Sequence, residues 1–350
     1  MTFPNNIYVM AMVSSAVTVL LTVPLWRKWC IRVGLVDDPG GRKIHALPVP
    51  LAGGLAVMTG LLVPTVLSCL VLVFLQGTGG VAGLFSLAPE SSAQPSSPIR
   101  LLDPYSAFLL RHGLGRRAAE LTGIFLGALG MLWVGWLDDK HELPPRAKFT
   151  GQLFVAFLVA ASGARITLFV PSLVFSYLIT ILWILTVINA FNFMDNMNGL
   201  CAGLGALGAW NFALISATEG QYLVALIAFL TFGALLGFLP YNFPHAKAFL
   251  GDAGSHLVGY LLAVLAILPH FYSRHHPRHW AVLTPLLVLA VPLADLVWVV
   301  LLRWRIGQPF YQGDTNHLSH RLVRRGFSRP QAVLFIWLLA AFAGSLIWLL

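Results

Sequence analysis

Charge is what this sequence has least of: 10% of its 350 residues are Asp, Glu, Lys or Arg, and only 13 are acids. So thin a polar complement cannot cover the surface of a water-soluble globule, where about a quarter of residues are charged. Cysteine is scarce too, with three residues. Cys30, Cys69 and Cys201 are odd in number, far apart and in or beside apolar runs, which excludes a disulfide framework and a cysteine metal knuckle. No nucleic-acid-binding motif accompanies the net charge of +9, so nucleic acid is excluded as a partner; the basic residues suit membrane topology, anionic headgroups or phosphorylated substrates. No loop is long enough to fold alone and no internal repeat stands out. That argues for one domain over 1–350 and modestly against transporter folds built from inverted repeats.

What the chain has in abundance is apolar length. Hydrophobic residues make up 58% of it, in runs of about twenty, each enough to cross a hydrocarbon core of about 30 Å. Ten spans are expected, at 7–26, 51–75, 119–137, 149–166, 172–188, 200–218, 222–239, 256–271, 281–302 and 331–350. A transmembrane barrel would alternate in stretches of about ten residues, so the expected fold is all-α, a polytopic membrane protein. The first span has no basic residue before it and "RKWCIR" after it. It reads as a retained anchor with both chain ends outside, and most Lys and Arg then fall in inner loops. The segment 76–117, with "SLAPESSAQPSSPIR" within it, reads as a flexible extracytoplasmic loop.

The acids are more telling than the bases, because Asp37, Asp38, Asp138, Asp139, Glu142, Asp195, Asp252 and Asp314 all fall at span ends or loops on the same, cytoplasmic, side. Asp295 lies inside the ninth span, where an acid costs about 2.5–3.5 kcal/mol to insert and marks a functional candidate. In "NAFNFMDNMNGL", Asn189, Asn192, Asp195 and Asn198 recur every third residue. On a helix such a series drifts about 60° per step, so the four share a mouth only if the helix tightens or breaks near 196–199; a C-terminal cap and turn is the plainer alternative. In "WLDDKHELPPRAKFTGQ", Asp138 and Asp139 point about 100° apart, so one acid can work while the other braces it. Lys148 opens the next span and can face an anion.

"AFLGDAGSHLVGYLL" sets Asp252 between glycines with Ser255 nearby. This is either a helix N-terminus offering N–H groups to phosphate or a plain cap. Asp138, Asp139, Asp195 and Asp252, with amide oxygens, make a hard-oxygen set suited to Mg²⁺ carrying phosphate ligands. "GDTNHLSHRLVRRGFS" places His317 and His320 on one helical face beside Arg321, a candidate diphosphate grip, or loop histidines with structural bonds. Zinc is disfavoured for want of a third ligand at ligand spacing. "DDPGGRKIHALPVPLAGG" adds Arg42, Lys43 and His45, a weaker signal shared with an ordinary basic flank.

Together these five stretches resemble the polyprenyl-phosphate N-acetylhexosamine-1-phosphate transferases, and most of all the branch that uses UDP-N-acetylglucosamine. The likeness covers nearly the whole chain. It implies a Mg²⁺-dependent enzyme, with Mn²⁺ as a substitute, that moves N-acetylglucosamine 1-phosphate from a UDP-sugar to a polyprenyl phosphate and releases UMP. It also implies a multi-pass protein of the plasma (inner) membrane, working on its cytoplasmic face, with the bilayer as partner and a homodimer as candidate assembly. By the same resemblance Asp252 and Asn192 are metal ligands, Asp138, Asp139, Asp195 and Lys148 catalytic, and Phe249 a uracil-stacking ring. Asn189, Asn198, His317, His320, Arg321, Arg42, Lys43 and His45 are then substrate-binding. Two departures stand out: Asn198 replaces a second Asp, which rules it out as a base or a charged ligand, and Ser319 replaces a central His; "DNM" also stands in place of the usual "DG" near Asn196. Rival readings are a muramoyl-pentapeptide phosphotransferase, whose run of adjacent histidines this chain lacks, a transferase for another UDP-sugar, and a lipid-linked-sugar transporter.

Overall fold

The computed structural model describes residues 3–39, 47–77, 113–168, 170–269, 271, 279–309, 311 and 313–349. Most of the expected loop at 76–117, and Arg42, Lys43 and His45, lie outside the described residues. The helices are α1 (Asn5–Val33), α2 (Gly53–Gly77), α3 (Ala118–His141), α4 (Pro145–Ser162), α5 (Leu173–Met194), α6 (Leu200–Thr218), α7 (Tyr222–Asn242) and α8 (Gly251–Leu265). They are followed by α9 (Thr284–Val288), α10 (Ala290–Arg305), the seven-residue α11 (Leu318–Arg324) and α12 (Arg329–Ser345). Two short strands, β1 (Val36–Asp37) and β2 (Val49–Pro50), pair antiparallel with Val36 opposite Pro50.

Every expected span contains helix. Among the described residues seven helices are long and apolar enough to cross a membrane, and eight if the bent pair Ala281–Val288 and Ala290–Arg305 counts as one. The expected ninth span is therefore not straight: it turns by 68°. Pro292 explains the break, since it has no N–H for the Val288 carbonyl and its ring crowds that position. The two expected spans that fail the test are α4, which opens with Arg146 and Lys148, and α8, whose 15 residues rise only about 22 Å.

α8 is short because it is the centre. Its residues from Ala253 to Leu265 are all buried, and a helix apolar on every side belongs inside a bundle. Around it stand α2, α3, α5 and α6. Glycines permit the approach: Gly135 of α3 faces the backbone of Asp252 and Ala253, and Gly259 of α8 faces that of Ile188. In lipid, where water drives no helix association, such close packing holds helices together. The outward faces carry exposed apolar side chains such as Phe154 on α4 and Leu178 and Leu182 on α5.

The ends of α3, α5 and α7 gather with the starts of α4, α6 and α8. β2 joins that end: Phe249 donates its N–H to the Pro50 carbonyl and accepts from Gly53.

Candidate active site

The α3–α4 hairpin turns in three residues, and Pro145 pre-sets the first turn of α4. Asp138 braces the turn by accepting from the Leu143 N–H at 2.9 Å. Its other oxygen meets Lys148 Nζ at 2.6 Å, and Lys148 lies 3.3 Å from Asp252 Oδ2 and 3.5 Å from Asn192 Oδ1. Asn192 Nδ2 donates to Asp252 Oδ1 and to Ser255 Oγ. An ammonium from α4, an amide from α5 and a carboxylate from α8 thus converge, with Asp138 of α3 behind the lysine.

Asp139 does something else. Its two oxygens accept the N–H groups of Asp252 at 2.7 Å and Ala253 at 2.9 Å. The start of α8 has no capping side chain of its own, and Gly251 enters it at φ +72°, where a Cβ would meet the Asp139 carboxylate. Those two N–H groups, expected to be open to phosphate, are filled by a carboxylate from α3. Of the adjacent acids, Asp139 is the brace and Asp138 faces the site.

One turn deeper the same three helices meet again. Asn189 Nδ2 donates to Gln152 Oε1 at 2.9 Å, and Gln152 Nε2 lies 2.9 Å from His256 Nε2. Gln152 follows Lys148 by four residues, His256 follows Asp252 by four, and Asn189 precedes Asn192 by three, so each lies directly beneath its counterpart. The bonds run one way: the Gln152 amide donates, the His256 Nε2 accepts, and the neutral imidazole carries its proton on Nδ1, a buried atom with no hydrogen-bond partner among the described residues. Asn189 also donates to the Leu185 carbonyl, so its amide nitrogen serves this lower layer.

The α5–α6 turn lies beside the cluster. Helix α5 ends at Met194 and α6 starts after Gly199, at φ +77°, so the helix breaks where the series required; Asn192 joins the cluster and Asn189 the layer below it. The Asp195 carboxyl takes no hydrogen bond from a described residue; burial, then the charges of Asp252 and Asp139, push it well above the usual carboxylate range. Asn198 donates to the Pro244 carbonyl at 3.1 Å. Asn242, nine-tenths buried or more, accepts from Gly199 N–H at 2.7 Å and donates to the Ala248 carbonyl at 2.9 Å. It clasps this turn to the loop bearing the half-buried Phe249.

A second cluster surrounds the His loop. Asp295, buried in α10, accepts from Leu318 N–H at 2.7 Å and lies 2.7 Å from His317 Nδ1. Arg303, buried at the end of α10, donates to Asp314 at 2.8 Å and stacks over Phe193 with its guanidinium 4.9 Å from the ring. Phe193 also meets the His317 ring edge-on at 5.6 Å. Burial tends to raise the Asp314 carboxyl, but bonds from Arg303 and the Asn316 N–H hold it below its ordinary value. His320 is held below the ordinary histidine value by burial and then by the charges of His317, Arg324 and Arg329. Arg321 stacks over Trp298 at 4.6 Å, on the side of α10.

Hard oxygens are what this site offers a metal: the Asp252 carboxylate, the Asn192 amide oxygen and the unbonded Asp195 carboxyl. Among the described residues no three His, Cys, Asp or Glu side chains are grouped to hold an ion by themselves. The donors that are present, carboxylate and amide oxygens, are of the hard type that suits Mg²⁺, which keeps several waters.

Sequence reasoning missed Gln152, His256, Asn242 and Arg303. The first two had a signal, the four-residue step from Lys148 and from Asp252 that puts them on the same helix face. Asn242 and Arg303 had none.

Comparison with known proteins agrees with this architecture. A profile described as glycosyl transferase family 4 matches residues 121–270. A Bacillus subtilis protein named "Probable undecaprenyl-phosphate N-acetylglucosaminyl 1-phosphate transferase" is 30% identical, over 95% of this chain and 81% of its own length. The "Decaprenyl-phosphate N-acetylglucosaminephosphotransferase" of Mycobacterium tuberculosis is 29% identical, over 95% and 80%. The "Undecaprenyl-phosphate alpha-N-acetylglucosaminyl 1-phosphate transferase" of Escherichia coli is 27% identical, over 91% and 77%. The chain belongs to glycosyl transferase family 4, among the polyprenyl-phosphate N-acetylglucosamine-1-phosphate transferases.

Proposed function

We propose that this protein transfers N-acetylglucosamine 1-phosphate from UDP-N-acetylglucosamine to a polyprenyl phosphate, releasing UMP, at the cytoplasmic face of the plasma membrane. The observation that carries the reading is the convergence of Lys148, Asn192 and Asp252 from three helices at the end of the bundle. An oxygen of the lipid phosphate forms a bond to the sugar-bearing phosphorus, and the bond from that phosphorus to the UMP oxygen breaks. A phosphoanhydride is present before and after, so alignment and charge neutralisation supply the catalysis.

Asp252, with Asn192 through its amide oxygen, would hold Mg²⁺, which when bound neutralises diphosphate charge. Lys148, oriented by Asp138 and beside Asp252 and Asn192, grips a phosphate oxygen. Asp139, both of whose oxygens are engaged by the α8 backbone, keeps Asp252 in place. Asp295 fixes the His317 ring through Nδ1, which leaves Nε2 for the leaving or incoming phosphate. A monoester phosphate has a second pKa of about 6, so the acceptor is already a good nucleophile near neutral pH, and none of Asp138, Asp139 or Asp195 is phosphorylated.

Purified protein supplied with Mg²⁺, polyprenyl phosphate and a panel of UDP-sugars should make lipid-linked N-acetylglucosamine diphosphate and UMP. Asp252→Asn should lower turnover by at least about 100-fold. Turnover of another UDP-sugar in preference, or an Asp252→Asn protein with unchanged rate and Mg²⁺ dependence, would overturn the reading.

A further inference from the structure

Asn196 of the α5–α6 turn and Ser319 of α11 touch each other. Ser319 Oγ donates to Asn196 Oδ1 at 2.6 Å, and Asn196 Nδ2 donates to the Phe193 carbonyl, one of those left free where α5 ends. Asn196 is not among the residues with positive φ, so a side chain sits there without backbone strain. Ser319 is wholly buried, with its hydroxyl engaged by Asn196.

The position matters because α11 has only seven residues, too few to hold a helix by itself. Asp295 pins its first N–H from α10, and Asn196 pins its next residue from the turn after α5. The second bond also links the His loop to the turn carrying Asp195 and to the end of the helix carrying Asn192.

We propose that Asn196 and Ser319 form a positioning pair that fastens α11 to the end of α5 and so sets His317 and His320 in register with the Lys148–Asn192–Asp252 cluster. The proposal rests on the transferase reading for its consequence, but not for the existence of the fastening. Neither residue is a catalytic residue. They act through the placement of the two imidazoles, where an error of about 1 Å is enough to slow a transfer.

The test uses the full-length protein in lipid nanodiscs, with Asn196→Ala, Ser319→Ala, the double variant and Ser319→Thr, which keeps the hydroxyl. Hydrogen exchange of peptides within 313–324 is read without substrate, and kcat and KM are read with UDP-N-acetylglucosamine and polyprenyl phosphate. Each alanine variant should raise exchange in 313–324 about fivefold, the loss of about one neutral hydrogen bond, and leave α1 and α7 peptides unchanged. It should lower kcat about fivefold with little change in KM for the UDP-sugar. The double variant should be no worse than the poorer single, since both remove the same bond, and Ser319→Thr should recover most of both signals. Unchanged exchange, additive losses, or faster exchange with kcat intact would overturn the pair. Failure of the transferase reading would show separately, as a wild-type protein that turns over no UDP-N-acetylglucosamine while the exchange result stands.

Discussion

Lys148, Asn192 and Asp252 stand on the ends of three membrane helices whose next turns are tied together by Gln152, Asn189 and His256. His317 precedes, and His320 lies on, a seven-residue helix that is seated by Leu322 in the core and fixed at its first turn by bonds from Asp295 and Asn196. The first half of the site is organised by packing and by paired polar layers, which move only if whole helices move. The second half is one short helix, organised by a few apolar contacts and by point attachments, each of the latter worth about one hydrogen bond. On the proposed function, the groups assigned to metal and phosphate belong to the stiff half, and the His loop is the part that would adjust to substrate. Phe193 links them, lying between Arg303 and His317 one residue after Asn192.

The contrast can be broken most forcefully at Lys148. Lys148→Met should cost about 1000-fold in kcat/KM, and it leaves the Asp138 and Asp252 carboxylates facing each other without their shared cation. A loss under tenfold would mean that the ammonium is only a structural counter-ion, and the stiff half would lose its claim to the phosphates.

Gln152→Leu probes whether the lower layer matters as a layer. It strands the Asn189 amide and the His256 Nε2, each buried polar group costing about 1–3 kcal/mol when left unpaired. We expect a clear fall in thermal stability in detergent and about a tenfold fall in kcat, although the residue faces no substrate. Wild-type stability would remove the distinction between the two halves.

Asp295→Asn should come next, at roughly tenfold in kcat, because an amide no longer fixes the His317 tautomer. The loss should be greater in kcat than in KM. Equal stability of this variant and Gln152→Leu would contradict the soft-loop assignment.

The smallest effect is expected at Asp314. A carboxylate whose folded value is depressed adds stability that is complete above its unfolded value, about 3.9, and is lost as pH falls through the folded value. Protection of 313–324 from hydrogen exchange should therefore persist through mildly acidic pH and drop only below about pH 4. Asp314→Asn should have lower protection that lacks this acid-dependent drop. A wild-type drop well above that range would assign the anchor to a different group.

Much of this was legible in advance, and for a definable reason. Apolar runs about twenty residues long, and acids kept to one side of them, are properties of the chain summed over neighbours, so the all-helical bundle and the single polar end follow from the sequence alone. The same local logic marked Asp138, Lys148, Asn192 and Asp252, because a polar residue at the end of a membrane helix has few other uses. It reached as far as the option that one of two adjacent acids works while the other braces. Which acid did which was not legible, since Asp138 and Asp139 differ only in direction on the helix, and that direction acquires meaning when α4 and α8 take their places around α3. The exchange of phosphate for Asp139 at the start of α8, the lower layer of Gln152, Asn189 and His256, and the meeting of Asn196 with Ser319 across 123 residues are all choices of partner. A hydrogen bond is made over about 3 Å, a distance set by the rotation and depth of helices far apart in sequence. Only the tertiary packing decides it.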